Sequence, residues 1–316
     1  MPNGTRRNVI VTGASGFIGR KLTCALLASP DYADCNLTLI DILPPPFEAD
    51  DRTRIIVGDL ADAAVLDRVF DTPADLVFHL GGILGGAAEA NPALARRVNV
   101  DATLDMLDRL RLAGNRPRVV FASSIAVFGL GQTDPVDDHT IPYPAMVYGA
   151  HKRMVEIAIE QMSARGWIDG MALRLPGIVA RRDADQKLKS AFINSLFHDY
   201  AASRAIELPV SPQGTTWLIS TEACVDAFLH AGRVPADLLG KQRAFTLPAQ
   251  WVCFSDLITG LARHFPESRA TVTFSPNEDL DRQFARQPML ATPLADGLGF
   301  RHDGDIATLI SQALKS

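Results

Sequence analysis

The chain has 316 residues, of which 47% are hydrophobic, enough for a sizeable core in one large α/β unit or in a core domain with a smaller appendage. Its formal net charge of −5 gives no basic footprint for nucleic acid, and no apolar run is long enough to predict a membrane span. The polar segment 1–8 leaves no room for the apolar part of a signal peptide, so we expect a cytoplasmic protein with no nucleic-acid or membrane partner.

The first predicted elements are a strand, a glycine-rich turn and a helix over 20–28. Gly13 permits a tight turn, Gly16 lets backbone N–H groups approach a pyrophosphate, and Gly19 lets the helix pack on its strand. The candidate phosphate-binding residues are Gly13, Ser15, Gly16, Phe17, Ile18 and Gly19. Glycine turns after strands are common, so this motif alone is also compatible with a purely structural turn.

The second predicted strand, 37–40, ends in Asp41. An acidic residue about 20 positions beyond the glycines is where a carboxylate accepts hydrogen bonds from the adenosine ribose. The two features together predict a dinucleotide site that prefers NAD to NADP, because the Asp41 carboxylate would repel a 2′-phosphate. Arg20 and Arg52 are the residues that could reverse this preference.

Strands and helices continue to alternate along the chain. Strands are predicted at 54–57, 75–80 and 118–122, and helices at 62–70, 91–113 and 148–164. This order predicts an α/β fold with a doubly wound parallel sheet, a Rossmann fold, whose ligand site lies along the carboxyl ends of the strands.

The four cysteines are scattered along the chain, at Cys24, Cys35, Cys224 and Cys253. They lack the spacing of metal ligands, and the seven histidines show no paired spacing either. We therefore expect buried thiols and no metal site.

A candidate catalytic set lies at the end of the fifth strand and on the helix that follows. Tyr148 and Lys152 are four residues apart, which places them on one helix face. A neighbouring ammonium is expected to lower the pKa of the Tyr148 phenol, and Ser124 would hold a substrate oxygen while Tyr148 moves its proton. Tyr-x-x-x-Lys spacing arises by chance in many helices, so the prediction rests on its place after a dinucleotide fold.

Through Pro176 the sequence resembles the extended short-chain dehydrogenase/reductases. The matching motifs are 12–19, Asp41, 58–60, 79–82, Asn99, 123–129, 148–152 and 174–176. The resemblance implies that Tyr148 is the general acid/base, that Lys152 lowers its pKa and binds the nicotinamide ribose, and that Ser124 positions the reacting oxygen. It implies further cofactor contacts at Asp59, Leu60, Leu80, Gly81, Gly82, Asn99, Ser123, Pro176 and Ile178. The implied cofactor is NAD.

Within this family the sequence resembles a branch that oxidises a secondary alcohol of a small hydroxy acid or polyol. The resemblance rests on finer motifs at 118–129, 166–170, 173–176 and 208–211 followed by Trp217. The candidate substrate pocket contains Leu84, Gly85, Ser124, Ile125, Met146, Tyr148, Arg181 and Trp217. Arg181 or Arg182 would anchor a carboxylate, although both are also compatible with solvated loop charges. The apolar neighbours 218–219 predict a less polar substrate body.

Two alternatives stay open. A nucleotide-sugar epimerase or dehydratase of the same family needs a basic group for the diphosphate, commonly an arginine near Trp217, where the sequence has threonines and apolar residues; Arg181 or Arg182 could serve instead. A regulator that binds NAD without turnover usually lacks the tyrosine or the lysine, and this chain keeps both Tyr148 and Lys152.

The predicted domains are an NAD-binding domain over 1–176 and a smaller, mainly substrate-binding domain over 177–316, with about 218–232 packing back on the first. In the second domain, helices are predicted at 187–203, 221–233, 255–265 and 305–314, and strands at 206–208, 215–219, 244–247 and 270–274. The family resemblance implies a homodimer that pairs the helices at 91–113 and 148–164.

Overall fold

The computed structural model describes residues 6–181 and 189–315, and the chain divides into two compact units. The first unit runs to Val127 and continues with Met146–Arg174 and Phe228–Phe245. The second unit contains Phe128–Ala145, Leu175–Ala227 and the chain from Thr246 onwards. No helix in the described ranges is long and apolar enough to cross a membrane.

The strands in chain order are β1 (Arg7–Thr12), β2 (Cys35–Asp41), β3 (Thr53–Val57), β4 (Leu76–His79), β5 (Arg118–Ser124), β6 (Asp169–Leu175), β7 (Gly177–Val179), β8 (Ala205–Leu208), β9 (Thr215–Ser220), β10 (Ala244–Thr246), β11 (Gln250–Cys253) and β12 (Thr271–Phe274). The helices are α1 (Phe17–Ala28), α2 (Ala63–Val69), α3 (Gly85–Ala90), α4 (Pro92–Arg96), α5 (Ala102–Ala113), α6 (Val147–Ala164), α7 (Ala191–Ala201), α8 (Thr221–Ala231), α9 (Phe254–His264), α10 (Glu278–Phe284), α11 (Pro293–Gly297) and α12 (Ile306–Ala313).

The central sheet has seven strands in the order β10-β6-β5-β4-β1-β2-β3, and β3, β2, β1, β4 and β5 pair in parallel. The strand order reverses between β1 and β4, the point at which doubly wound sheets bind their ligands. The predicted α/β class and doubly wound parallel sheet are confirmed. Its middle strands are apolar on both faces, as Val9, Ile10 and Val11 show, because helices cover both sides.

The helix predicted over 91–113 is divided. α4 ends at Arg96, a π-helical turn occupies Arg97–Asp101, and α5 then continues to Ala113 before Gly114 ends it with a positive φ of 75°. Single π-helical turns insert one residue and often mark functional sites. Here the turn contains Asn99, whose buried side chain bonds to the backbone of Ile83 at the end of the β4 loop. The 3.6-residue pattern gives no signal of this insertion.

The unit boundaries differ from the predicted domains in two places. β9 and most of α8 belong to the second unit, since β9 pairs with β7 and β11 there, and the segment that returns to the first unit is Phe228–Phe245. Phe228 of this segment packs against Phe78, and part of the attachment is polar: Arg118 at the start of β5 donates to the carbonyls of Ala231 and Val234 and forms an ion pair with Asp169. Hydrogen bonds and ion pairs between such distant residues leave no hydrophobic period in the sequence.

Residues Phe128–Ala145 are the other difference, because they belong to the second unit. Val136 forms a bridge with Leu290, and the carboxylates of Asp134 and Asp138 accept the backbone N–H groups of Met289 and Leu294. These contacts join positions more than 150 residues apart in the chain, so the sequence order alone places the loop wrongly.

The second unit has a three-stranded sheet, β11-β9-β7, and a two-stranded sheet, β12-β8, around a core that includes Phe197, Leu218 and Phe254. The predicted helix 187–203 is observed as α7 from Ala191, and residues 187–188 lie outside the described residues. α9 begins after Cys253, one residue before the predicted start at 255. β7, β11, α10 and α11 were not predicted, because each is too short to show a hydrophobic period.

The cysteines follow the expectation of burial only in part. Cys35 and Cys224 are buried, Cys253 is partly buried, and Cys24 is exposed on α1. Within α1 the buried positions are Gly19, Leu22, Thr23 and Leu26, so Cys24 falls on the solvent side of an amphipathic helix.

Replacing Arg118 by methionine should lower the free energy of unfolding by roughly 3 kcal/mol or more, because two buried carbonyls and the Asp169 carboxylate lose a charged donor. The control is Arg109→Met, whose partner Asp67 is largely exposed and whose loss should cost less than about 1 kcal/mol. Urea denaturation midpoints measure both. Equal losses in the two variants would contradict the structural role assigned to Arg118.

Candidate active site

The glycine turn after β1 is closely packed against the end of β4. Gly13 has a φ of 71°, and a Cβ there would lie 2.7 Å from the backbone nitrogen of Gly81. A Cβ on Gly19 would lie 2.1 Å from the Gly13 carbonyl oxygen, so α1 starts directly against the turn. Gly16 is the N-cap of α1 and provides no side-chain cap. The turn therefore directs the N-terminal backbone of a 12-residue helix at the sheet edge, as pyrophosphate binding requires.

Asp41, the last residue of β2, has both carboxylate oxygens oriented by backbone donors. The N–H of Ser15 donates to one oxygen at 3.0 Å and the N–H of Leu43 to the other at 3.1 Å. The Ser15 hydroxyl donates to the Leu43 carbonyl, so Ser15 joins the glycine turn to the loop after β2. Asp41 thus stands beside the turn, where an adenosine ribose would meet it.

The end of β4 is held by a buried polar chain. The His79 ring bonds to the Thr12 hydroxyl at 2.7 Å and to the Thr103 hydroxyl at 2.9 Å. Burial, aided by the Lys152 charge, lowers the pKa of His79 to about 3, so the ring is neutral at physiological pH. Thr12 also accepts the N–H of Gly81.

The other predicted cofactor residues of the first unit surround this edge. The Leu80 N–H donates to the Thr12 carbonyl, and the Leu60 side chain lies 3.5 Å from where a Cβ on Gly81 would stand. The Asp59 carboxylate accepts the N–H of Ala61. A Cβ on Gly82 would lie 3.0 Å from the Asn99 side-chain oxygen and 3.7 Å from Lys152 Nζ.

Ser124, Tyr148 and Lys152 are brought together at the ends of β5 and α6. The Ser124 side chain acts on the Tyr148 phenol in the direction of a lower pKa, and the Ser124 hydroxyl accepts the N–H of Ala126. Lys152 is buried, with its ammonium 4.5 Å from the centre of the Phe121 ring and 5.5 Å from that of Tyr148. The three groups form one site, with the Tyr148 phenol beside the candidate oxygen-positioning residue.

The predicted lowering of the Tyr148 pKa is wrong in direction. Burial raises it to about 12, and the hydrogen bond with Ser124 opposes this only in part. Lys152 stands over the rings of Tyr148 and Phe121, and its own pKa is lowered by burial to about 8, with Glu156 acting in the opposite sense. Spacing on a helix places two groups together but carries no information about how much water they lose.

One residue at the site, Glu156, was missed by sequence reasoning. Glu156, one turn after Lys152, is completely buried and forms a two-pronged ion pair with Arg174 of β6. Its carboxylate also accepts a hydrogen bond from the Ser123 hydroxyl at 2.6 Å. Ser123, a predicted cofactor residue, therefore donates its hydroxyl proton within the protein. A signal that could have identified Glu156 is its spacing: Tyr148, Lys152 and Glu156 follow one another at intervals of four residues. This spacing places the acid on the same face of α6 as the candidate catalytic pair.

The predicted substrate residues of the first unit lie around the start of α6. Met146 is the N-cap of α6, and its methyl group lies 3.4 Å from where a Cβ on Gly85 would stand. Leu84, the N-cap of α3, is exposed, and Ile125 opens the short turn after β5. Glu89 of α3 accepts the N–H of Val147, which holds α3 against the first turn of α6.

The remaining candidates belong to the second unit. Pro176 and Ile178 lie at β7, where Ile178 pairs with Ile219 of β9. Trp217 is buried, and its indole N–H donates to the Pro288 carbonyl, so its polar atom is already used. Arg181 is partly buried, its backbone N–H bonds to Asn194, and burial lowers the pKa of its guanidinium. Arg182 lies outside the described residues.

A glycine turn at the switch point, an acidic end of β2 and a Ser/Tyr/Lys set define a dinucleotide-dependent enzyme of Rossmann type. The sequence model of the NAD dependent epimerase/dehydratase family matches residues 9–238, and the chain belongs to this family. Family membership implies a nicotinamide cofactor, and the close-packed glycine turn and the oriented Asp41 fit one.

Two curated relatives carry the same activity in their names. D-erythronate dehydrogenase from Cupriavidus necator is 37% identical over 264 residues, covering 81% of this chain and 81% of that protein. D-erythronate dehydrogenase from Haemophilus influenzae is 30% identical over 310 residues, covering 97% and 98%. Among solved structures, the nucleoside-diphosphate-sugar epimerase from Agrobacterium tumefaciens superposes with a TM-score of 0.92 at 27% identity, covering 98% of this chain and 94% of that one.

The finer motifs are therefore confirmed as a resemblance to D-erythronate dehydrogenase. The named relatives are dehydrogenases, which supports an NAD-dependent oxidoreductase acting on CH–OH groups. Such an enzyme takes a small-molecule substrate.

Replacing Lys152 by methionine should stabilise the protein at neutral pH. The pKa of Lys152 is about 8 in the folded state and about 10.5 when unfolded. Between these pH values the unfolded chain binds more protons than the folded one, so stability rises with pH. The destabilisation caused by burying the charged lysine is therefore fully present below pH 8. The penalty removed is roughly 3 kcal/mol, at 1.36 kcal/mol per pKa unit.

The measurement is the urea midpoint of wild type and variant from pH 7 to 9.5. The wild type should gain stability relative to Lys152→Met as the pH rises through this window. The exposed Lys241→Met is the control and should show neither effect. A wild type at least as stable as Lys152→Met at pH 7 would contradict the assigned cost of burial.

Proposed function

We propose that this chain is an NAD-dependent dehydrogenase that oxidises a secondary alcohol of a small hydroxy acid similar to D-erythronate. The observation that carries the proposal is the grouping of Ser124 and Tyr148 beside the buried Lys152, whose ammonium lies 5.5 Å from the centre of the Tyr148 ring. This arrangement suits proton transfer at an alcohol oxygen. The two D-erythronate dehydrogenases support the substrate class.

In the proposed reaction, Ser124 donates a hydrogen bond to the substrate oxygen and Tyr148 accepts the hydroxyl proton. Lys152 supplies the positive charge that stabilises the phenolate as it forms. NAD, held by the glycine turn and Asp41, would supply the acceptor for the substrate hydride. Because burial raises the pKa of Tyr148 to about 12, its deprotonation must be assisted, and the reverse reduction has its proton donor ready.

NAD is proposed over NADP because of Asp41. Its carboxylate is fixed by two backbone donors, so it has little freedom to turn away from a 2′-phosphate. Arg20 and Arg52 are the residues that could reverse this preference, and Arg52 donates to the carbonyls of Cys35 and Tyr32. The Arg52 guanidinium is thus engaged with backbone.

A nucleoside-diphosphate-sugar epimerase is the second candidate, supported by the high structural similarity to the Agrobacterium enzyme. An epimerase must hold a diphosphate, which needs cationic partners to offset its loss of water. Next to the buried Trp217 this chain has Thr216 and Leu218, which provide no charge. This difference favours the dehydrogenase.

Tyr148→Phe should retain the fold and the affinity for NAD, yet lose at least about a hundredfold in kcat, the usual scale of general acid/base catalysis. The control is Tyr143→Phe, at an exposed tyrosine of the second unit. NADH absorbance gives kcat, and quenching of protein fluorescence gives the NAD dissociation constant. Near-native turnover of Tyr148→Phe would remove Tyr148 from the mechanism.

The substrate proposal is tested by assaying aldonic acids, neutral polyols and nucleoside-diphosphate sugars, each with NAD and with NADP. We expect a hydroxy acid with NAD to give the highest kcat/KM. Arg181→Met should raise the KM of that acid at least about tenfold, because an arginine binds a carboxylate through paired, charge-assisted hydrogen bonds. The control is the exposed Arg204→Met in the same unit.

Three results would count against these assignments. Better efficiency with NADP would overturn the role of Asp41. A higher kcat/KM for a nucleoside-diphosphate sugar, or for a neutral polyol, would replace the hydroxy acid. Unchanged kinetics in Arg181→Met would remove Arg181 as the carboxylate anchor.

A further inference from the structure

The buried acid Glu156 lies directly behind the candidate catalytic groups. On α6 it follows Tyr148 and Lys152 at intervals of four residues, so the three side chains share one helix face. It is completely inaccessible to solvent. A buried carboxylate is rare unless its charge and its hydrogen-bonding capacity are both satisfied.

Both oxygens of Glu156 are satisfied, by residues of three different elements. One oxygen accepts the Ser123 hydroxyl of β5 at 2.6 Å and Arg174 Nε of β6 at 2.9 Å. The other accepts Arg174 Nη2 at 2.9 Å and Arg153 Nη1 of α6 at 3.1 Å. The carboxylate therefore joins the ends of β5 and β6 to the catalytic helix.

The Ser123 bond fixes the orientation of the catalytic serine. Successive residues of a strand point to opposite faces, so Ser123 turned towards Glu156 requires Ser124 to face the other way. Ser124 is the residue whose side chain acts on the Tyr148 phenol. A change at Glu156 should therefore alter the orientation of the Ser124 side chain, because both serines lie at the end of the same strand.

Glu156 also acts on the charge of Lys152. Burial lowers the pKa of Lys152, and the Glu156 carboxylate is the group that raises it. The other groups facing this lysine are the Phe121 and Tyr148 rings and two histidines, His79 and His151, each with its pKa lowered by burial. Among these neighbours Glu156 supplies the negative charge.

Resting on the proposed function, we propose that Glu156 is a positioning residue for the alcohol oxidation: through Ser123 it aims the Ser124 hydroxyl, and through its negative charge it keeps Lys152 protonated beside Tyr148. It touches neither the substrate nor the reacting atoms. Its effect passes through the position of Ser123 and through the charge of Lys152, and these two effects can be measured separately.

The electrostatic part is tested by titrating Lys152 in protein labelled with 13Cε-lysine, without cofactor or substrate. The chain has only six lysines, and Lys152→Met assigns the resonance. Glu156→Gln keeps the shape and removes the charge, so the Lys152 titration should move to lower pH by about one unit or more. The alkaline limb of kcat/KM should move in the same direction.

The matched control is Glu160→Gln, one turn further along α6. Glu160 pairs with Arg153 at 3.7 Å and is partly exposed, so neutralising it makes the same chemical change away from Ser123 and Arg174. Its Lys152 titration and pH profile should match the wild type. An unmoved titration in Glu156→Gln, or an equal shift in Glu160→Gln, overturns the electrostatic part.

The strand-end part is tested with Ser123→Ala, a mild change that keeps the Glu156–Arg174 ion pair and serves even if Glu156→Gln does not fold. We expect kcat to fall about tenfold, with the NAD dissociation constant and the Lys152 titration unchanged. An unchanged kcat overturns this part. Glu156→Asp, which keeps the charge on a shorter side chain, should preserve the Lys152 titration and lower kcat; a titration shifted as in Glu156→Gln would contradict the charge assignment.

The Lys152 titration does not depend on any substrate. A protein that oxidises no hydroxy acid but shows the Glu156→Gln shift would therefore overturn the proposed function and leave the electrostatic assignment standing. A protein that oxidises a hydroxy acid but shows no shift would do the reverse.

Discussion

The contact between the ends of β1 and β4 is the constraint on which the site depends. Parallel strands bring all their carboxyl ends to one edge, and here the Thr12 hydroxyl bonds to His79 while Gly13 approaches the backbone of Gly81 so closely that a larger residue at 13 has no room. The glycine turn therefore packs directly on the end of the neighbouring strand. Asp41, Asn99 and Ser124 then reach the same edge from other elements.

The second constraint is the burial of charge around α6. An ammonium and a carboxylate lie one helical turn apart on the buried side, where each alone would be costly. Arg174 satisfies the carboxylate with paired hydrogen bonds, and the aromatic faces of Phe121 and Tyr148 lie near the ammonium. The result is a lysine whose pKa of about 8 keeps it charged near neutral pH in a nearly dry site.

Sequence reasoning predicted the parts of the molecule that local pattern controls. The β-branched runs of β1 and β2, the glycines at 13, 16 and 19, and the Tyr148–Lys152 spacing are short-range signals that the chain order turns into a parallel sheet with one functional edge. It failed where position depends on distant partners: the π-helical turn around Asn99, the return of Phe228–Phe245, and the direction of the Tyr148 pKa. Each is decided by burial or by hydrogen bonds between residues far apart in the chain.

Glu156 shows where a purely local pattern held more information than was used. An acid four residues after a candidate catalytic lysine is usually explained as a solvated helical ion pair, worth a few tenths of a kcal/mol. The apolar neighbours Val155 and Ile159 already placed that helix face against a core. An acid on such a face needs a buried cation, and Arg174, at the start of the motif 174–176, was available. The combination of an acid and an arginine on two buried elements thus predicts an ion pair behind the site, because neither charge is stable there alone.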